Sequence, residues 1–221
     1  MTVAVHPLGK IRPGKQRRSE QTLEAILDAA ETLIAQKGYA ATTVSEIAHQ
    51  AGVTVGALYG RVDSKEALLR GLSERLSEQT RGVFERLFTD LASDNLEFRL
   101  ALERSMEAMV WLYRDRAPLL RALNQAAMTN PVLRKRMRTF NADICARLYH
   151  ALDKFSSYIT HPQPVMAMKL GHEAGMRLLR SSMLHDEIDY SDLRKAGIRV
   201  TDQLLAKEAA RIWEAYLKSR P

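Results

Sequence analysis

One cysteine, Cys145, stands among 221 residues, so no internal disulfide is available and the fold must rest on packing, as suits a reducing compartment. The longest unbroken apolar run, Ala108 to Tyr113, has six residues, far short of the roughly 18 needed to span a membrane. The first eighteen residues carry charge without a continuous apolar core, unlike a secretory signal, and a cytoplasmic protein with no membrane partner is expected. No proline falls between Gly14 and Ala117, and no glycine between Val83 and Leu170. Long spans without those breakers suit helices, and no alternating pattern of useful length argues for a strand.

What is present is helical periodicity. Leu23, Ile26, Leu27, Ala30, Leu33 and Ile34 recur at three and four residues, predicting a first helix that begins near Gln21 and stops at Lys37-Gly38. Thr43-Val44-Ser45-Glu46 has the form of a capping box and opens a second helix, which Gly52 ends. Thr54 caps a third helix, and Asp63-Ser64-Lys65-Glu66, a second capping box, opens a fourth. Further on, Asp94 caps a helix running to Tyr113, Asp115 and Pro118 start another, and Asn130-Pro131 opens a long one reaching Phe155. A helix over 165–183, a loop over 186–190 and a final helix ending near Lys218 complete an all-α reading.

A net charge of +7 invites a nucleic-acid partner, but its distribution is uneven. Residues 1–18 hold five Lys/Arg and no acid, residues 19–66 hold three against seven, and residues 67–221 hold 25 against 19. The expected organisation is a basic, disordered arm over 1–19, a helix-turn-helix domain over 20–66, and a helical domain over 67–221. The arm suits the DNA minor groove, and equally suits a solubilising terminus.

Within Val44 to Asp63 three positions fall at helix-turn-helix spacing. Ala48 lets two helices cross closely, Gly52 takes the positive φ of the turn, and Leu58 plugs the space between the helices. The surrounding run GYAATTVSEIAHQAGVTVGALYGRVDSKEALL, Gly38 to Leu69, resembles the DNA-binding domain of TetR-family transcriptional regulators. The resemblance covers about residues 20–70 and implies a palindromic double-stranded DNA operator, a homodimer and a small-molecule effector, with repression the usual outcome.

The glycines of VTVGALYGR fit this reading, because a recognition helix must approach DNA closely and Gly56 offers no side chain to hold it away. Thr54 reaches a phosphate or base, and Val55 and Ala57 are short enough to meet thymine methyls. Tyr59 resembles the family's phosphate-contacting tyrosine. Lys65 and Thr43 sit at helix N-termini, where phosphate is attracted. The family's aromatic pair gives way here to Gly60-Arg61-Val62: Val62 fills less space, and Arg61 grips phosphate, reads guanine or stays solvated.

In the family the remainder binds ligand and dimerises through its last two long helices. That implies a dimer interface from Met168, Gly171, His172, Gly175 and Leu179 on one helix and Leu205, Ala209, Ile212 and Tyr216 on the other. Packing within one chain would make the same stripes. Met106, Met109, Tyr113, Met137, Phe140 and Tyr149 lie on helices that enclose the ligand in the family, and core filling uses the same residue types. No enzyme signature competes: His172-Glu173 lacks the second histidine of a zinc-protease motif, no phosphate-binding glycine loop occurs, and Cys145 has no nucleophile context. No metal, cofactor or catalytic residue is expected. The rival readings are a helical protein-interaction module and a regulator with no small-molecule ligand.

Overall fold

The computed structural model describes residues 17–93 and 95–220, and over those residues it is helical, with no strand. The basic segment before residue 17 and the proposed cap Asp94 lie outside the described residues. The first helix, α1, spans Arg17–Ala41, so residues 17–19, assigned to a disordered arm from sequence, are helical instead. Its backbone breaks at Gly38 (φ 80°, ψ 163°), where the sequence places the stop, and one short turn follows. The Thr42 hydroxyl closes that turn by donating to the Gly38 carbonyl at 2.8 Å.

Helix α2, Val44–Gln50, begins at the expected capping box: the Glu46 N–H donates to Thr43 Oγ1 and the Thr43 N–H to the Glu46 carboxylate. Gly52 adopts φ 67° in the turn, and α3, Val55–Tyr59, starts where Thr54 Oγ1 accepts the Ala57 N–H at 3.1 Å. Helix α4 spans Lys65–Leu91, and its cap is Ser64, whose Oγ accepts the Ala67 N–H, rather than Asp63. A Ser64 cap moves Glu66 one position too close to the helix start to complete the box read from sequence.

Helix α5 runs unbroken over Phe98–Thr129, through Pro118, where two helices are expected. A helix-interior proline forgoes one backbone hydrogen bond, a loss of about 3 kcal/mol. Burial of Ala117, Leu119, Ala122 and Leu123 around it offsets that loss. Helix α6, Pro131–Leu152, opens with the Asn130 cap, and Phe155 falls beyond it in a tighter 3-10 turn, Asp153–Tyr158. Helices α7 (Pro164–Met183), α8 (Ser191–Lys195) and α9 (Asp202–Leu217) follow.

Two compact units emerge from this packing. The first contains the residues up to Gln79 together with Pro118–Asn141, and the second contains Thr80–Ala117 together with the residues from Ala142 onward. The functional division expected at 66/67 falls inside the first. In that unit Ile26, Ile34, Ile47, Leu58, Val62, Leu68 and Leu72 form the core, and Arg75 bonds Asp28 and Glu31 to fix α4 on α1.

The second unit is organised around α7 against α9. A methyl group added at Gly171 would sit 2.6 Å from Trp213 Cδ1, and one at Gly175 would sit 2.8 Å from the Ala209 carbonyl oxygen. Met168, Gly171, His172, Gly175 and Leu179 are buried there, as are Leu205 and Ala209. The stripe expected at a dimer interface therefore packs within one chain over these seven positions, because two glycines bring the helices too close for anything else to enter. Tyr216 is half-buried in the same contact, and Ile212 alone of the stripe is well exposed.

Candidate nucleic-acid interface

Helix α3 is five residues long, too short to hold its shape alone, and is pinned from below by fully buried Leu58. Its upper surface is left bare. Thr54, Val55, Gly56, Ala57 and Tyr59 are exposed, with Val55 at 40% and Tyr59 at 46%. A Cβ on Gly56 would meet nothing nearer than Thr54 Oγ1 at 4.0 Å, so nothing inside the chain requires glycine at this position. Close approach by something outside the chain would.

Thr54, Ala57, Gly60 and Arg61 line an open depression together with Val53 and Thr22. The Thr54 oxygen caps the helix by accepting the hydrogen bond of the Ala57 N–H, a role that does not use the hydroxyl's own hydrogen. Arg61 is half-exposed on the wall, and Val62 behind it is fully buried, so the smaller residue is accommodated in the core. Thr22, on α1, escaped the sequence reading because the motif spacing covers only α2 and α3 and gives no sign of which α1 residue meets them.

Two expected phosphate contacts are otherwise engaged. The Lys65 ammonium donates to the Tyr39 carbonyl at 2.6 Å and lies 4.2 Å from the centre of the Tyr39 ring. It thereby caps the end of α1, and burial lowers its pKa. Burial, reinforced by Glu66, pushes the Tyr39 phenol up to about 12. The Thr43 hydroxyl donates to Glu46 Oε2 at 2.6 Å, and that carboxylate also pairs with Lys37. Hydrogen bonds from Lys37 first, then from Thr43, hold the Glu46 carboxyl down at about 2. Thr43 thus offers phosphate no free proton while the capping box is closed.

The six expected ligand residues fall in both units. Met137 and Phe140 belong to the first, where both are half-buried. Met106, Met109, Tyr113 and Tyr149 belong to the second. There Met106 is fully buried, with its sulfur 3.4 Å from the Cβ position of Gly175, so it fills the base of the α7–α9 contact. Tyr113 is buried, and desolvation raises its phenol. The Tyr149 hydroxyl lies 3.0 Å from His172 Nδ1, and the His172 ring packs 4.8 Å from that of Trp213. Burial, with the Arg180 cation nearby, holds His172 down at about 4. A neutral ring there accepts a hydrogen bond from the Tyr149 hydroxyl at Nδ1 and carries its own proton on Nε2, a tautomer assigned from this geometry.

Residues 26–72 match the family profile described as bacterial regulatory proteins, tetR family. The HTH-type transcriptional repressor KstR2 of Rhodococcus jostii is 38% identical over 81 residues, covering 35% of this chain and 36% of that protein. The A-factor receptor protein of Streptomyces griseus is 42% identical over 69 residues, 31% of this chain and 24% of that one. The matches thus span well under half of those relatives' length. Over nearly the whole chain, the fold is that of a TetR-family transcriptional regulator from Mesorhizobium loti, with a TM-score of 0.71 and 19% identity, covering 91% of this chain and 98% of that one.

Proposed function

Because residues 26–72 match the profile of bacterial regulatory proteins of the tetR family, we propose that the chain is a transcriptional repressor binding a palindromic operator as a homodimer. The observation that carries this reading is the bare first turn of α3. Thr54, Val55, Gly56 and Ala57 are exposed over a buried Leu58, and no internal contact explains the glycine. In the bound state this turn enters the major groove, with Thr54 and Arg61 donating to phosphates or base edges and Val55 and Ala57 against thymine methyls. Tyr59 lies against the backbone.

A small-molecule effector would bind in the second unit, where Met109, Tyr113 and Tyr149 combine an adaptable apolar surface with hydroxyls. One relative is a receptor by name, which supports a ligand response. Effector and operator would then lower one another's affinity by a single coupling factor.

The test is fluorescence anisotropy with DNA flanking the chain's own gene, comparing the wild type with Gly56→Leu and Tyr59→Ala. Since a side chain at position 56 meets open space, Gly56→Leu folds and gains helix propensity of up to about 1 kcal/mol. Its DNA affinity should nevertheless fall by about tenfold or more, and Tyr59→Ala should weaken binding as well. Undiminished affinity and sequence preference in both folded variants would rule out α3 as the reading head. Candidate effectors added to the same assay test release; an effector that binds without changing DNA affinity would leave the chain a regulator of another kind.

A further inference from the structure

We propose that the N-terminal half of α6 carries a second DNA-contacting surface, in which Arg134, Lys135 and Arg138 bind phosphates outside the recognition helix and supply the sequence-independent part of the affinity. The inference rests on the proposed operator binding. Between residues 17 and 79, which contain the helix-turn-helix, seven Lys/Arg face nine Asp/Glu, so this part of the unit repels a polyanion overall. Chain segment 118–141 folds into the same compact unit and holds five Lys/Arg and no acid. Added to residues 17–79, it turns their net charge from negative to positive.

The cations are placed against helix electrostatics. A helix N-terminus carries a partial positive charge that acids offset. The first turn of α6 has no acid, and its cap is the neutral Asn130, whose side-chain oxygen accepts the Val132 and Leu133 N–H groups at 3.1 Å. Arg134, Lys135 and Arg138 follow at once, and 134 with 138 and 135 with 138 are like-charged neighbours one turn apart. All three are exposed, and among the described residues none forms an ion pair. Arg136, by contrast, reaches Glu74 Oε1 at 2.7 Å, which ties α6 to α4 within the unit and leaves the other three directed elsewhere. Such a cluster lowers the stability of its own helix, and a bound polyanion relieves the repulsion. Exposed Met128 and Val132 flank it without adding charge.

The charge of this surface matches a phosphate backbone, and the recognition helix in the same unit supplies the reason for one to be near. The experiment measures affinity against salt concentration for wild type and Arg134→Gln/Lys135→Gln/Arg138→Gln, using the duplex flanking the gene and an unrelated duplex of equal length. Each phosphate contact contributes about 0.9 to the slope of log affinity on log salt. The triple variant should flatten that slope by about 2 to 3 on both duplexes and weaken the unrelated one by about tenfold or more near 0.1 M salt. The preference between duplexes should not change, and the thermal midpoint should stay level or rise as repulsion is removed. If the triple variant fails to fold, Arg134→Gln and Arg138→Gln singly should each remove about one contact's worth of slope. An unchanged slope in folded variants overturns the proposal and leaves an acidic protein as the partner of the patch. Wild type that binds neither duplex overturns the operator reading beneath it, a distinguishable result.

Discussion

Single residues in this chain are committed in ways that spacing cannot reveal. Lys65 and Thr43 occupy positions that attract phosphate, yet one closes the end of α1 and the other is held by Glu46. The partner of Lys65 is brought in by the fold, Tyr39 lying 26 residues before it, whereas Thr43 is held by Glu46 of its own capping box, a carboxylate that Lys37 of α1 also pairs with. The exposure of Thr54, Gly56 and Ala57 at the start of a short helix, which is all that their proposed roles need of the fold, was legible directly. His172 shows what burial adds. In the native state its ring stays neutral down to about 4, whereas in the unfolded chain it protonates near the ordinary value of 6.5. Since the unfolded state then binds the extra proton, stability is complete above about pH 6.5 and declines as pH falls toward 4, by on the order of 3 kcal/mol. Glu46, depressed to about 2, acts with the same sign in a separate, lower window, between its ordinary 4.5 and 2. Urea unfolding from pH 7 to pH 4 should show the first decline, and His172→Gln, which keeps an acceptor for Tyr149, should flatten it. An equal decline in the variant would assign the titration to other groups.

Helices were legible in number and phase where caps and stripes agreed, as at Thr43, Thr54 and Asn130. They were misread where one residue had two meanings. In the sequence Pro118 suits the first turn of a new helix, since proline is at home there; in the fold it lies inside α5, held by buried neighbours on both sides. The α7 and α9 stripes met the same ambiguity, because an apolar face looks alike whether its partner is in the same chain or another. What settles these positions is the close approach at two glycines. At Gly175 the atom that an added methyl group would meet is backbone, the Ala209 carbonyl oxygen at 2.8 Å, which cannot turn aside as a side chain can. Gly175→Ala should therefore force α7 from α9 and cost about 1–3 kcal/mol, read as a lowered thermal midpoint. Gly56→Ala, the same change at an open position, should not lower it. Equal behaviour of the two variants would mean that helix propensity, rather than contact, governs position 175.

For the molecule as a whole, one short α3 presents too few side chains to define an operator, so the proposed function needs two copies with reading heads about 34–36 Å apart. With the inner stripes of α7 and α9 spent on one another, the partner must meet their outer faces. Those faces keep apolar residues in water: Met166 and Leu170 on α7 are 38% and 49% exposed, and Ile212 on α9 is 42% exposed. Met166 and Leu170 are one turn apart, as a helix contact requires, and Ile212 is the member of the expected interface that intrachain packing left uncovered. A homodimer formed there would bury all three at its centre, where a charge would be left without water or a counterion. Leu170→Glu combined with Ile212→Glu should thus convert a dimer into a monomer in sedimentation at micromolar concentration, with the helical content intact. Because each half-site contact then forms alone, operator affinity should fall by far more than the affinity for an unrelated duplex. Wild type sedimenting as a monomer, or a doubly charged variant that still dimerises, would move the interface off these faces and remove the basis for a palindromic operator read through them.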